Sequence, residues 1–415
     1  MSRVIEGSHL PSPADFAAPP TAADRERWAD ADREARPARL ERLRARFADV
    51  GVDAYFGIRR EHMRYLTGFA LADGEEKVAG NSGQFLVSGD EAVVLADSRY
   101  TLQVGREAPD ARMFAAYHDL PRRWADLVGS VGARRVAVEA ALVSHATWER
   151  LAAAAPGVEL VAVEGWVEAD RATKEPSELE RVAAACAVAD RALAGLLPAI
   201  RAGMTERTLA LDLEWRMRTG GADALAFEVA CLAGPEAALP HGSPGDRPVI
   251  EGEVLLFDFG AEVVGYRSDM TRTLFVGEPA ARDLEIYELV ARAQSAAIDA
   301  IRAGVAAARS TGADLPSGRS IDAIARNVIA DAGHGDHFGH GLGHGIGLAT
   351  HEAPKLGMSA PETPLPSPTV FSVEPGVYLD GEMGVRIEDL MTIDTTAGST
   401  AILTWFPRDV VVVGR

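Results

Sequence analysis

The sequence predicts an α+β protein in which an α/β domain precedes a larger α+β domain built from two related halves. Three observations carry this expectation. Apolar runs of strand length alternate with amphipathic helical stretches between residues 37 and 170. A helical segment at 207–223 is echoed at 319–336. Four acids, Asp258, Asp269, Glu374 and Glu388, sit inside strongly apolar strand sequence in the second half of the chain.

Residues 1–35 are rich in Pro, Ala and scattered charge, and read as a mobile N-terminal arm running into a helix. The first domain is expected over 36–172. There the helix ARLERLRARFADVG precedes the strand DAYFGI, and FLVS and AVVLA read as paired strands around Gly89-Asp90. The helices ADLVGSV and ATWERLAAAA then alternate with the strands RVAVEA and VELVAV, which gives a mixed sheet. ADRATKEPSELERV marks the boundary, and the second domain covers 173–415. Charges and Pro176 precede a long helix expected over roughly 177–201, with Glu178 and Glu180 in its first turns favouring the helix dipole. In the internal echo, Leu209, Leu213, Met217 and Gly221 match Ile321, Ala325, Ile329 and Gly333. Each copy has helical spacing and a closing glycine, and each is followed by ligand candidates, so the halves are expected to close around one site.

A formal net charge of −19 argues against nucleic acid or an anionic membrane as partner. No apolar run approaches the roughly 20 residues of a membrane span. Cys186 and Cys231 lie in apolar sequence with no Cys-x-x-Cys pair, as expected of free thiols in a reducing compartment. The N-terminus shows no basic and apolar leader, so a cytoplasmic protein is expected.

The chemistry concentrates in four segments. VLLFDFGAEVVGYRSDMTRTLFV reads as a hairpin turning around Glu262–Gly265, which brings Asp258 and Asp269 onto neighbouring strands. A single acid at a strand end is commonly a turn residue, but two inside apolar strands would be buried without a partner. VFSVEPGVYL and GVRIEDLMTI repeat the pattern with Glu374 and Glu388. Arg386 lies two residues before Glu388, on the same face, where it can hold a ligand carboxylate. HFGHGLGHGIGLATHEAP adds histidines at 337, 340, 344 and 351. It fits neither a phosphate-binding loop nor a zinc finger. Four carboxylates gathered together repel one another unless cations sit among them. One nitrogen among several carboxylate oxygens is a hard donor set that suits Mn²⁺ and tolerates Co²⁺, Fe²⁺ or Zn²⁺. In two-metal sites the ions lie roughly 3.5–4 Å apart, bridged by carboxylates and a hydroxide that attacks a polarised carbonyl. Amide hydrolysis is the expected reaction.

These segments, with HGLGHGIGLATHE, SVEPGVY and GVRIED, resemble the signature of the pita-bread metallopeptidases, which include aminopeptidase P, prolidase, methionine aminopeptidase and metal-free creatinase. The resemblance covers the whole second domain. RYLTGFA and LADSRYTLQ make the first domain similar to the creatinase/prolidase N-terminal domain. It implies a pita-bread catalytic domain with pseudo-twofold halves. It further implies that Asp258 binds one ion, that His344 and Glu374 bind the other, and that Asp269 and Glu388 bridge. Glu374 would also relay the proton of the attacking water. His241 and His351 would contact the scissile carbonyl, His340 and Tyr378 would line a proline pocket, and Arg386 would hold a ligand carboxylate. An N-terminal domain is foreign to methionine aminopeptidase, and a full ligand set is foreign to creatinase. The expected function is therefore removal of the residue ahead of proline, as an Xaa–Pro aminopeptidase or dipeptidase, by a homodimer or homotetramer. Two alternatives stand beside it: the same site acting on an osmolyte-type small molecule, and a non-enzymatic binding protein. Two departures from the family pattern are visible. KLGMSAPETPLPSPTVFSVEPG contains no arginine, and extra sequence lies around Ala306–Gly318.

Overall fold

The computed structural model describes residues 3–71, 82–115 and 120–414. The chain forms two compact units, Glu26–Arg171 and Met1–Arg25 with Ala172–Arg415.

In the first unit, six strands lie in the order Arg112–Ala115, Ala92–Ala96, Gln84–Ser88, Ala54–Gly57, Arg135–Glu139 and Glu159–Val163. The central hairpin is antiparallel, and the outer pairs are parallel. Its turn closes because the Ser88 hydroxyl accepts the N–H groups of Asp90 and Glu91. Phe56, Leu86, Leu127, Val136 and Leu151 bury one face of the sheet, and the Phe56 and Trp124 rings meet edge-on at 5.1 Å.

The larger unit is a repeat. Helices Pro176–Leu196 and Glu206–Thr219 precede strands Ala230–Ala233, Val254–Phe259 and Met270–Val276. Helices Ala281–Thr311 and Gly318–Asp331 precede strands Gly343–Gly345, Thr369–Val373 and Asp389–Asp394. The correspondence reaches the caps. Thr205 Oγ1 accepts the N–H of Thr208, and Ser317 Oγ accepts that of Ser320. Each cap residue also forms an isolated bridge to a proline, Thr205 to Pro248 and Ser317 to Pro364. The extra sequence around Ala306–Gly318 lengthens one helix: Ala281–Thr311 has 31 residues where Pro176–Leu196 has 21.

Two expectations need correction. The arm over 1–35 is built into the fold over its described part. Val4–Glu6 pairs in parallel with Val410–Val413, Phe16 stacks on Phe406, and Arg191 donates to the Pro13 carbonyl. Composition hid this because the anchoring rests on a few side chains and on backbone groups. Secondly, the helical stretch Pro176–Ala199 is long and apolar enough to cross a membrane, although 67% of its most apolar window is buried in this unit. Its buried Arg181 and Asp190 interrupt the apolar run, as suits a core helix.

Candidate metal centre

Val254–Phe259 pairs antiparallel with Met270–Val276, placing Asp258 opposite Thr271. Asp269 falls just before the second strand on the same face as Thr271, so the two acids are diagonal neighbours. Thr271, which the motif reading passed over, occupies the position directly opposite. The second hairpin is interrupted at its acids. Thr369–Val373 pairs with Asp389–Asp394, and Gly376–Leu379 with Met383–Arg386, which leaves Glu374 and Glu388 in the gap between two ladders. Pro375, with no N–H, cannot donate across that gap, and its carbonyl accepts only a long bond from Ile387 N at 3.5 Å. The freed N–H groups turn elsewhere: Glu374 donates to Leu342 O at 2.8 Å, and Glu388 to Thr271 O at 3.1 Å. The second bond ties the Glu388 strand to the strand following Asp269, and so joins the halves at the site.

His344 sits in the short strand between Glu352–Leu356 and Thr369–Val373. Its flanking glycines are there for room. A Cβ on Gly343 would lie 2.1 Å from Ser372 O, and one on Gly345 would lie 2.1 Å from Ala353 O.

Asp258, Asp269, His344, Glu374, Arg386 and Glu388 line a cavity of about 360 Å³, together with His241, His340, His351, Phe227 and Thr350. Tyr378 stands behind this lining. Its hydroxyl lies 2.9 Å from His340 Nε2 and accepts from Arg386 Nη1 at 2.9 Å. Donor atoms of Asp269, His344 and Glu388 lie within 4.8 Å of one another. His344 Nε2 is 3.3 Å from Glu374 Oε1 and 3.7 Å from Asp269 Oδ2. Arg386 Nη2 holds Asp258 Oδ2 at 2.5 Å, and its Nε donates to Thr271 Oγ1 at 2.9 Å. Thr271 Oγ1 donates in turn to Glu388 Oε2 at 2.7 Å. Ser372 Oγ, also passed over, donates to Glu374 Oε1. The signal for both hydroxyls was present: each lies two residues from an acid, on the same strand face.

Electrostatics mark the place for a cation. Burial, then the charges of Glu388, Asp258 and Glu374, push the Asp269 carboxyl well above the ordinary range. Burial, then Glu374 and Asp258, do the same to Glu388. Burial also raises Asp258, against the pull of Arg386. Glu374 goes the other way: burial opposes ionisation, but the hydrogen bond and charge of His344 win and bring it to about 2. His344, against its own desolvation, is raised to about 9 by the hydrogen bond and charge of Glu374. Asp258 Oδ1 and Glu388 Oε1 are buried with no hydrogen-bond partner. Orphaned buried carboxylate oxygens are costly unless a ligand takes them. Together with the oxygen-rich donor set, they fit divalent ions.

His340 has a defined tautomer. Tyr378 accepts from Arg386, so its own proton goes to His340 Nε2, and Nδ1–H donates to Gly341 O at 2.8 Å. Burial lowers the pKa of the ring, which favours this neutral form.

The chain matches the Creatinase/Prolidase N-terminal domain over residues 39–173 and metallopeptidase family M24 over 180–395. An uncharacterized peptidase of Bacillus subtilis (strain 168), YqhT, is 33% identical over 375 residues, covering 90% of this chain and 100% of that protein. Among solved structures, an Xaa-Pro dipeptidase from Bacillus anthracis superposes with a TM-score of 0.79 at 31% identity, over 91% of this chain and 99% of that one. An X-Pro aminopeptidase from Thermotoga maritima MSB8 gives 0.75 at 33% identity, over 88% and 98%. A repeat closing on a carboxylate-rich cavity, matched over nearly its whole length by such relatives, identifies this chain as a member of metallopeptidase family M24, a hydrolase whose family works with divalent metal ions.

Proposed function

We propose that this peptidase removes the residue ahead of proline, using two divalent ions, with Mn²⁺ the favoured metal. The observation that carries the reading is the convergence of Asp258, Asp269, His344, Glu374 and Glu388 on one cavity, with two buried carboxylate oxygens left unpartnered. The named activities of the Bacillus anthracis and Thermotoga maritima neighbours support proline as the second residue, and they divide between dipeptidase and aminopeptidase. Among the described lining residues, the guanidinium at the cavity is that of Arg386, already engaged by Asp258, Tyr378 and Thr271. A dipeptide's free carboxylate would lack an uncommitted guanidinium there, which favours longer peptides. The peptidase relatives weigh against an osmolyte-type substrate and against a non-enzymatic role.

Asp258, Asp269, His344, Glu374 and Glu388 would hold the ions. Bound there, the ions supply Lewis acidity to the scissile carbonyl and make water acidic enough to lose its proton near neutral pH. Glu374 accepts that proton and returns it to the departing proline nitrogen. His241 and His351, at the cavity wall, donate to the oxygen on which charge develops. Burial, then neighbouring His344, lowers the His351 pKa, so its imidazole stays neutral and keeps an N–H to give. Neutral His340, braced by Tyr378, offers a flat face to the proline ring. Arg386 and Thr271 keep Asp258 and Glu388 in fixed orientations.

We extend the proposal to a cytoplasmic homo-oligomer. Cys186 and Cys231, buried as separate thiols, support the compartment, and sedimentation would test the assembly. The main test is direct. Chelator-treated protein should lose hydrolysis of Xaa–Pro and Xaa–Pro–Xaa peptides and regain it with Mn²⁺. Full activity after metal removal would refute the mechanism, and no turnover of any such peptide by loaded protein would refute the substrate.

A further inference from the structure

We propose that Arg326 and Asp322, on helix Gly318–Asp331, are positioning residues that set the preference for proline by fixing the segment that carries His340. The proposal rests on the Xaa–Pro reading above.

On a helix, an acid and an arginine four residues apart usually make a weak surface pair. This pair is different. Asp322 is 1% exposed and meets Arg326 through two bonds, Nε to Oδ2 and Nη2 to Oδ1, both 2.9 Å. The rest of the guanidinium is aimed at a neighbouring segment. Nη1 donates to Phe338 O and Nη2 to His340 O, each at 2.7 Å. Asp322 Oδ1 accepts the N–H of Leu342 at 3.0 Å. Three alternate residues, 338, 340 and 342, thus present backbone groups to one ion pair. That leaves the His340 ring free to face the cavity.

Two further contacts carry the effect to the site. The guanidinium lies over the Phe338 ring at 4.3 Å, and that ring meets His340 edge-on at 5.0 Å. Beyond Leu342, whose N–H Asp322 holds, the Leu342 carbonyl accepts the N–H of Glu374 at 2.8 Å. The pair therefore fixes the wall formed by His340 from behind, and it reaches the ligand candidate Glu374 through a single residue, Leu342. No atom of Arg326 is placed against substrate; it acts through His340. The fork geometry matters, because a lysine would keep the charge facing Asp322 but present its donors from one point and hold at most part of the set.

The test compares Arg326→Lys with the wild type on matched Xaa–Pro and Xaa–Ala peptides in Mn²⁺-loaded protein. Expected is a fall of about tenfold in the ratio of the two kcat/KM values, chiefly through KM for the proline peptide, since small misplacement of a binding wall is costly. Bound Mn²⁺ should stay at the wild-type stoichiometry. In a His340→Ala background the same substitution should leave the ratio unmoved, because both residues act through one ring. An unchanged ratio, an equal fall on both peptides, or additive effects in that background would overturn the proposal. If Arg326→Lys does not fold, Phe338→Leu keeps the ion pair and removes the ring contact. It should lower the same ratio, and an unchanged ratio there overturns the proposal. A wild-type ratio near one would instead sink the proline reading itself, with the wild-type enzyme still turning over peptides.

Discussion

Thr271 is the hinge between the charged groups of the site: its hydroxyl accepts from Arg386 and donates to Glu388. Thr271→Val keeps the shape but leaves Glu388 Oε2 and Arg386 Nε each short of a partner, so Mn²⁺ affinity should fall about 10- to 100-fold. Thr271→Ser should retain most of it, and a metal titration of the three proteins compares them. The four acids of the site were legible because an acid in apolar sequence demands a reason, and His344 because it lies in a Gly-rich run of histidines. Thr271 and Ser372 carried only the weaker signal of lying two residues from an acid, which is easily passed over because hydroxyl residues are ordinary in strands. The protonation of the site yields a second prediction. His344 is raised to about 9 from an ordinary 6.5. In ion-free protein its interaction with Glu374 therefore stabilises fully below the ordinary value and is lost as pH rises through about 9. A cation must displace that proton to take the imidazole nitrogen. Metal affinity should thus climb with pH between 6.5 and about 9. Calorimetry in buffers of differing ionisation enthalpy should register proton release, and a pH-independent affinity would contradict this account.

At the level of strands, what holds the two halves together at the site is Arg272, an unremarked residue of the DMTRT segment. All of its donor groups are used. Nε donates to Pro407 O, Nη1 to Thr271 O and Glu388 O, and Nη2 to Phe406 O and Asp389 Oδ1. Arg272 and Asp389 are each 1% exposed in their side chains, so this cross-link between strands Met270–Val276 and Asp389–Asp394 is made away from water. Removing one member of a buried pair strands the other. Arg272→Met should therefore cost ~3–5 kcal/mol in urea unfolding. A loss within about 0.5 kcal/mol, the range for an ordinary surface change, would show that the cross-link carries no such load. The hairpins themselves were readable from apolar runs around Gly and Pro. Their interruptions were only half readable: Pro375 announces a broken ladder, but nothing local tells that Glu374 and Glu388 then seek Leu342 and Thr271. Those partners are set by tertiary packing, which a period-2 pattern does not encode.

Across the whole chain, the two-part organisation and the repeat of the larger unit were legible because each helix–strand module repeats its own spacing. The N-terminal segment was not, and the reason is energetic. Its composition offers little apolar surface, and its anchoring comes from a short parallel ladder, the Phe16–Phe406 stack and a charge-assisted bond from Arg191 to the Pro13 carbonyl. Deleting residues 1–20 makes a defined change. Val410–Val413 loses its parallel neighbour and becomes a bare apolar edge beside Met270–Val276. Phe406, 2% exposed and held at its backbone by Arg272 and Asp190, loses the ring that stacks on it. An uncovered run of four valines is a template for pairing with another chain. The truncated protein should therefore unfold at lower temperature and aggregate in proportion to concentration, even with the metal ligands untouched. Catalysis by whatever fraction stays soluble should keep the wild-type KM, since none of the described residues among those deleted lines the cavity. A truncation as stable and soluble as the full chain would show the N-terminal ladder to be dispensable. A raised KM in the soluble fraction would show that the segment reaches the substrate.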